Sequence, residues 1–238
     1  MNTVWKVETF LTVSGRNLRR NFSFTVINTV GSTRKTASIR IKKHYFLANE
    51  IEMNSGDICR ITVSVNNKKK VLIFSGSIET VMTTSRDIII EASYHLFDDK
   101  DMNETFKDTS YQDVFLRLTD KLEYRTEDFT PRQIVLKGNK EDNARRLLQS
   151  CSHALRRPLY CYLNAQNRLI ITDNMGKHKA NIFIIDNVLV SVGRVQFVIF
   201  PIPEIEIGDR VRLKGKEYRV KAITYDFTMK AFMRLEVL

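Results

Sequence analysis

Apolar and polar residues alternate with a period of two along most of the chain. Residues 5–8, 9–13, 22–26 and 37–41 carry this pattern in Val, Ile, Phe and Thr. Such alternation predicts half-buried strands. Arg16, Arg19 and Arg20 fall in a connection between strands, as do Arg34 and Lys35. Residues 54–57 (Asn-Ser-Gly-Asp) predict a turn, residues 58–65 a strand, and residues 66–70 a polar hairpin tip. Residues 71–78 and 86–92 return as strands. The tail repeats the pattern at 181–185, 188–192, 195–200, 210–213, 217–223 and 232–237, with Pro201 and Pro203 limiting the third of these.

The period changes in the middle. Tyr111, Val114, Phe115, Leu118 and Leu122 share one helical face, and Ser110 with Asp113 supplies an N-cap. Ala144, Leu147, Leu148, Cys151 and Leu155 repeat that spacing, with Asn139 and Asp142 as the cap and Pro158 as the stop. Each helix has one apolar stripe and needs a surface to cover, most simply a small sheet. Residues 159–172 predict a hairpin for that sheet, turning at 164–167.

One segment has an echo. Residues 55–61, containing Gly56-Asp57, resemble residues 207–213, containing Gly208-Asp209. A polar turn follows each, at 66–70 and at Lys214-Gly215-Lys216. A strand opening on an aromatic comes next, at Phe74 and at Tyr218, and a last apolar strand closes each set. Gly-Asp suits a tight turn, because Gly takes a positive φ and the Asp carboxylate bonds nearby backbone N–H groups. The expected fold class is therefore α+β, mainly β: two similar small β-barrels with a compact α/β insert. The expected boundaries are 1–95 (completed by later strands), 96–180 and 181–238. Gly56, Asp57, Gly76, Gly208, Asp209 and Gly215 are the expected structural turns.

Composition narrows the class. The chain has 238 residues and a net charge of +11, and it is 43% hydrophobic, an ordinary globular balance. It contains no apolar run of about 18 residues, the length a membrane helix needs. Its first eight residues lack a signal-peptide pattern. Three cysteines are too few for a disulfide scaffold and point to reduced thiols made in the cytoplasm. The charge is uneven: residues 1–50 hold nine basic and two acidic side chains, and residues 84–129 hold six and twelve. A basic protein with an acidic middle can stack one surface on the other.

Motifs of catalysis are missing from the sequence. Cys151 and His153 lie two apart on a helix and face different ways, and Cys59, Cys151 and Cys161 read as small core hydrophobes. No CxxC, HExxH or phosphate loop occurs, and the acidic run at 98–101 lacks the Gly and closing Glu of a calcium loop. No pair of carboxylates is singled out for glycoside hydrolysis. The expectation is a non-enzyme without metal or cofactor.

The order of these elements resembles the baseplate hub proteins of tailed phages: the Mu-type hub, the late control protein D group and the N-terminal half of VgrG spikes. The residues that carry the resemblance are 37–41, 51–57, 74–78, the capped helix from Ser110 to Leu122, the segment 139–172, and 207–209 and 214–220 with the last strand. The resemblance implies a homotrimer in which each chain supplies two tube-type barrels. Three chains would then present six copies in a ring and join a hexameric tail tube to a trimeric central spike. It implies as partners the tail tube or distal tube protein, the spike, the tape measure C-terminus and the baseplate wedge. It implies location in the virion tail tip after assembly in the bacterial cytoplasm, and DNA passing through the lumen during genome ejection without specific binding. Basic charge in the lumen would hold that DNA, so the basic surface is expected to face other subunits. Arg16, Arg19, Arg20, Lys68, Lys69 and Lys70 are the candidate basic contact surface. The alternative is a basic β-barrel that binds nucleic acid, which a pI near 9.6 supports.

Overall fold

The structure, a computed structural model, describes residues 6–19, 21–48, 51–175, 182–193 and 195–238. Strands β1 (Val7–Val13), β2 (Arg16–Leu18), β3 (Phe22–Thr29) and β4 (Arg34–Lys42) lead into a short helix, α1 (Lys43–Ala48). β5 (Ile58–Val65), β6 (Val71–Thr83) and β7 (Asp87–His95) follow. The middle holds β8 (Glu104–Lys107), α2 (Tyr111–Leu118), β9 (Leu122–Arg125), β10 (Gln133–Leu136), α3 (Lys140–Ala154), β11 (Tyr160–Leu163) and β12 (Leu169–Thr172). The tail holds β13 (Ile182–Ile185), β14 (Val188–Val192), β15 (Gln196–Ile199), β16 (Arg210–Leu213), β17 (Lys216–Asp226) and β18 (Phe232–Val237).

The chain is mainly β, as its alternation predicts. The main ladder runs β14-β15-β18-β17-β3-β4-β7-β6-β5-β1-β2, with β16 on the other half of β17 and β13 beside β16. The two strand sets assigned to separate barrels are thus joined through the antiparallel β3–β17 pair. Among the described residues no pair closes either set into a ring. Leu11, Phe24, Ile39, Ile41, Ile61, Phe74, Ile90, Val211, Leu213 and Leu235 fill one core along this ladder.

A second core belongs to the middle. Val114, Phe115 and Leu118 of α2 and Leu147 and Cys151 of α3 pack with Leu163, Leu169 and Ile171 of the β11-β12-β9 sheet. Both caps form as their spacing predicts. The Ser110 side chain accepts from the Asp113 N–H at 3.1 Å, and Asn139 accepts from the Asp142 N–H at 2.8 Å.

Several local expectations change. Arg34 and Lys35 lie inside β4, because the alternation of residues 37–41 continues backwards and places Lys35 on the buried side. Arg16 lies in β2. α2 ends at Leu118, and Thr119 caps it with its N–H on the Phe115 carbonyl, so Leu122 opens β9 instead of adding a helical turn. Gly76 is in β6 and not in a turn. A Cβ there would sit 2.4 Å from the Ser93 carbonyl oxygen, so close strand approach requires glycine. Arg20 and the first residue of the expected 181–185 strand lie outside the described residues.

Candidate assembly interface

The Gly-Asp echo is a repeat of backbone geometry. In the first copy, Gly56 has φ +93° and donates its N–H to the Ile78 carbonyl at 2.8 Å, and the Ile78 N–H returns to the Asp57 carbonyl at 2.8 Å. In the second copy, Gly208 has φ +83° and donates to the Val220 carbonyl at 2.8 Å, and the Val220 N–H returns to the Asp209 carbonyl at 3.0 Å. The carboxylate repeats too. Asp57 Oδ2 accepts the Asn54 N–H at 2.8 Å, and Asp209 Oδ2 accepts the Glu206 N–H at 2.7 Å. Asp57 also accepts the Ser14 hydroxyl at 2.6 Å, and these hydrogen bonds hold its carboxyl below the usual range.

The repeat extends from this hinge through five strands. Immediately after Ile78 the β6–β7 register slips at Glu79, and immediately after Val220 the β17–β18 register slips at Lys221. Following the pairings outward matches β5 to β16, β6 to β17, β7 to β18, β4 to β15 and β3 to β14. Core positions correspond one by one: Cys59 with Val211, Ile61 with Leu213, Ile90 with Leu235, Ile39 with Phe197, and Ile41 with Ile199, all buried. The pairings shift one sequence match. Gly76, not Phe74, is the counterpart of Tyr218, since Cys59 faces Gly76 and Val211 faces Tyr218. Sequence reasoning missed the β3-β4 and β14-β15 members, whose only shared signal is alternation.

The insert is fastened to the first copy by polar contacts. Gly31 donates its N–H to the Cys161 carbonyl at 2.7 Å, and Asn28 Nδ2 donates to the Leu163 carbonyl at 3.1 Å. Lys35 Nζ donates to the Asn164 carbonyl at 2.5 Å, and burial pushes its pKa down to about 8, partly offset by Glu206. On the second copy, Gly208 packs close to Met175 and to the Tyr162 hydroxyl.

The basic candidates partly converge. The ring of Phe10 on β1 has the Arg19 guanidinium 5.6 Å from its centroid and the Lys70 ammonium 3.9 Å away. Lys68, Lys69 and Lys70 are exposed in the turn before β6, and Arg16 is exposed on β2. Gly215, with φ +78°, turns β16 into β17. Cys59, Cys151 and Cys161 are buried free thiols. Burial pushes Cys59 up to about 12 and Cys161 to about 11, away from the thiolate a nucleophile needs. Among the described residues no three potential ligands cluster as a metal site, and no helix is long and apolar enough to cross a membrane.

No protein-family model matches the sequence, and no curated protein matches it. Solved structures do match. The 43 kDa tail protein of prophage MuSo2 from Shewanella oneidensis superposes with a TM-score of 0.71 at 12% identity, over 98% of this chain and 97% of that one. A tail protein from Neisseria meningitidis gives 0.67 at 10% identity, over 97% and 96%. The chain has the fold of phage tail proteins. The same fold recurs in a component of the E. coli type VI secretion system that is similar to bacteriophage T4 tail proteins. That structure gives a TM-score of 0.60 at 8% identity, over 99% of this chain and 76% of that one.

Proposed function

We propose that this chain is a structural, non-catalytic hub of a phage tail baseplate, which trimerises and joins the hexameric tail tube to the trimeric spike. The observation that carries the reading is the five-strand unit present twice per chain, each copy built on its own Gly-Asp hinge of the same geometry. Three chains then offer six similar units to a six-fold tube and keep three-fold symmetry for a spike. Units built on residues 1–95 and 181–238 serve as the tube domains, and the 96–180 insert decorates the ring. The Gly-Asp turns are required structurally, and the basic residues around Phe10 face neighbouring subunits, so that DNA passes without being held. The tail fold of the solved relatives supports a place in the virion tail.

The test is the mass of the purified chain by light scattering across a concentration series. The expected result is a trimer of about 83 kDa, three times 27.7 kDa. A monomer at every concentration refutes the trimeric hub. The cations gathered on Phe10 favour a second reading, single-strand binding by a basic surface. Tight DNA affinity that falls steeply between two salt concentrations would establish that reading instead.

A further inference from the structure

The two copies differ in what covers one strand edge. After the bulge, β17 leaves β16, and its residues Ala222–Asp226 pair with Thr25–Thr29 of β3, the first copy's own strand. The junction continues at both ends: the Val30 N–H donates to the Lys221 carbonyl at 3.0 Å, and the Phe227 N–H to the Phe24 carbonyl at 2.8 Å. β6 makes the same departure from β5 after its bulge. Its residues 80–84 are the counterparts of 222–226, and among the described residues no strand pairs with that edge. Burial records the difference. Ala222, Ile223 and Tyr225 are buried, and their counterparts Thr80, Val81 and Thr83 are all exposed. Ile223 is 3% exposed and Val81 is 37% exposed.

The complementary strand is also at an edge. β14, the counterpart of β3, ends the ladder and carries Val190 at 52% and Val192 at 57% exposure. Neither segment, 80–85 nor 188–193, contains the Lys or Pro with which proteins commonly blunt an edge against pairing. We infer that β14 of one chain pairs antiparallel with the free edge of β6 in a second copy of this chain, repeating between chains the β3–β17 junction found within each. This is a head-to-tail contact, which generates a ring where the rotation closes. Its closure at three chains rests on the hub reading: three internal junctions would alternate with three between chains. Carrying the internal register across places Val192 opposite Thr84 of the neighbour, as Thr25 faces Asp226, and Ser191 opposite Ser85, as Phe24 faces Phe227. The hairpin from β14 to β15 is shorter than that from β3 to β4, so the interchain ladder is shorter than the internal one.

Paired Cα atoms in an antiparallel ladder lie about 4.5–5.5 Å apart, within the roughly 4.4–6.8 Å that a disulfide spans. The test is mild oxidation of the full chain carrying Thr84→Cys with Val192→Cys, and separately Ser85→Cys with Ser191→Cys, read on a non-reducing gel beside light-scattering mass. The native thiols are buried, so they contribute little background. The expected result is covalent dimer and trimer from either double variant and none from the single variants. A trimeric mass without cross-linking in both double variants overturns the strand pairing and leaves the hub intact. A monomeric mass throughout overturns the hub trimer and this junction with it.

Discussion

The two Gly-Asp hinges share one backbone and differ in surroundings, so the same substitution has different consequences in each. Alanine at either site must hold a left-handed conformation, which costs an L-residue roughly 1–2 kcal/mol. At Gly56 that is the whole expected effect, because an added Cβ meets no atom within 4 Å. At Gly208 the Cβ would lie 2.6 Å from the Met175 carbonyl oxygen and 3.2 Å from the Tyr162 hydroxyl. The nearer neighbour is backbone and cannot rotate away, so the second copy and the segment at Met175 must separate. Overpacking of this kind adds typically 1–3 kcal/mol. Gly56→Ala is therefore expected to lose about 1–2 kcal/mol and Gly208→Ala about 2–5 kcal/mol. Urea unfolding followed by far-ultraviolet circular dichroism reads both as shifts in midpoint at constant slope. Equal losses, or a smaller loss at Gly208, would refute the assignment of Gly208 as a packing point between the second copy and the insert.

Other outcomes follow from buried polar groups. Asn143 is 1% exposed; its Nδ2 donates to the Met102 and Gly138 carbonyls at 3.1 and 3.0 Å, and its Oδ1 accepts the Lys137 N–H at 2.9 Å. Asn143→Ala removes three hydrogen bonds to the backbone, of which only the one to the Gly138 carbonyl leaves a group with another partner, the Met102 N–H at 2.9 Å, and is expected to cost about 2–4 kcal/mol by thermal or urea unfolding. Lys35 has a folded pKa of about 8 against 10.5 unfolded, so the unfolded chain binds more protons between those values. Its contribution makes stability rise from pH 8 towards 10.5, by about 3 kcal/mol in full. The measurement is the difference in pH slope between the native chain and Lys35→Met, because Cys59 and Cys161, with raised pKa values, act with the opposite sign above pH 9. A thiol reagent at pH 8 is expected to label the three cysteines only after denaturant is added, and fast labelling of the native chain would contradict their burial.

Period and caps made much of this fold legible. Residues 58–65 read as one strand, which is β5 without change, and both helices begin at the caps their spacing indicates. Local signals failed where tertiary context decides. Lys35 breaks the apolar rule on a core face because a carbonyl of the insert meets its ammonium group, a partner 129 residues away. β8 and β10 are four-residue strands that, among the described residues, pair only with each other, too short for alternation to register. Leu122 continues the helical spacing of Tyr111 to Leu118, yet one capping bond at Thr119 ends that helix. The repeat was visible at its hinge, where chemistry restricts the residue to Gly and Asp. It was invisible in its outer strands, where any alternating apolar set fills the same core.

That hinge explains why Gly and Asp persist while the strands around them differ. The glycine N–H and the aspartate carbonyl grip a single residue, Ile78 or Val220, from opposite sides of its peptide groups. The aspartate carboxylate fixes the turn that presents them. The register slip comes one residue later, at Glu79 or Lys221. A bulge bends its strand and increases the local twist, so the second half of the strand is aimed away from β5 or β16 with one edge released. Moving the grip by one residue would exchange the buried and exposed faces of the whole strand. The hinge thus sets two things at once: which side chains enter the core, and where the released edge emerges. In the second copy that edge is occupied by β3, and the first copy presents the same edge in the same register.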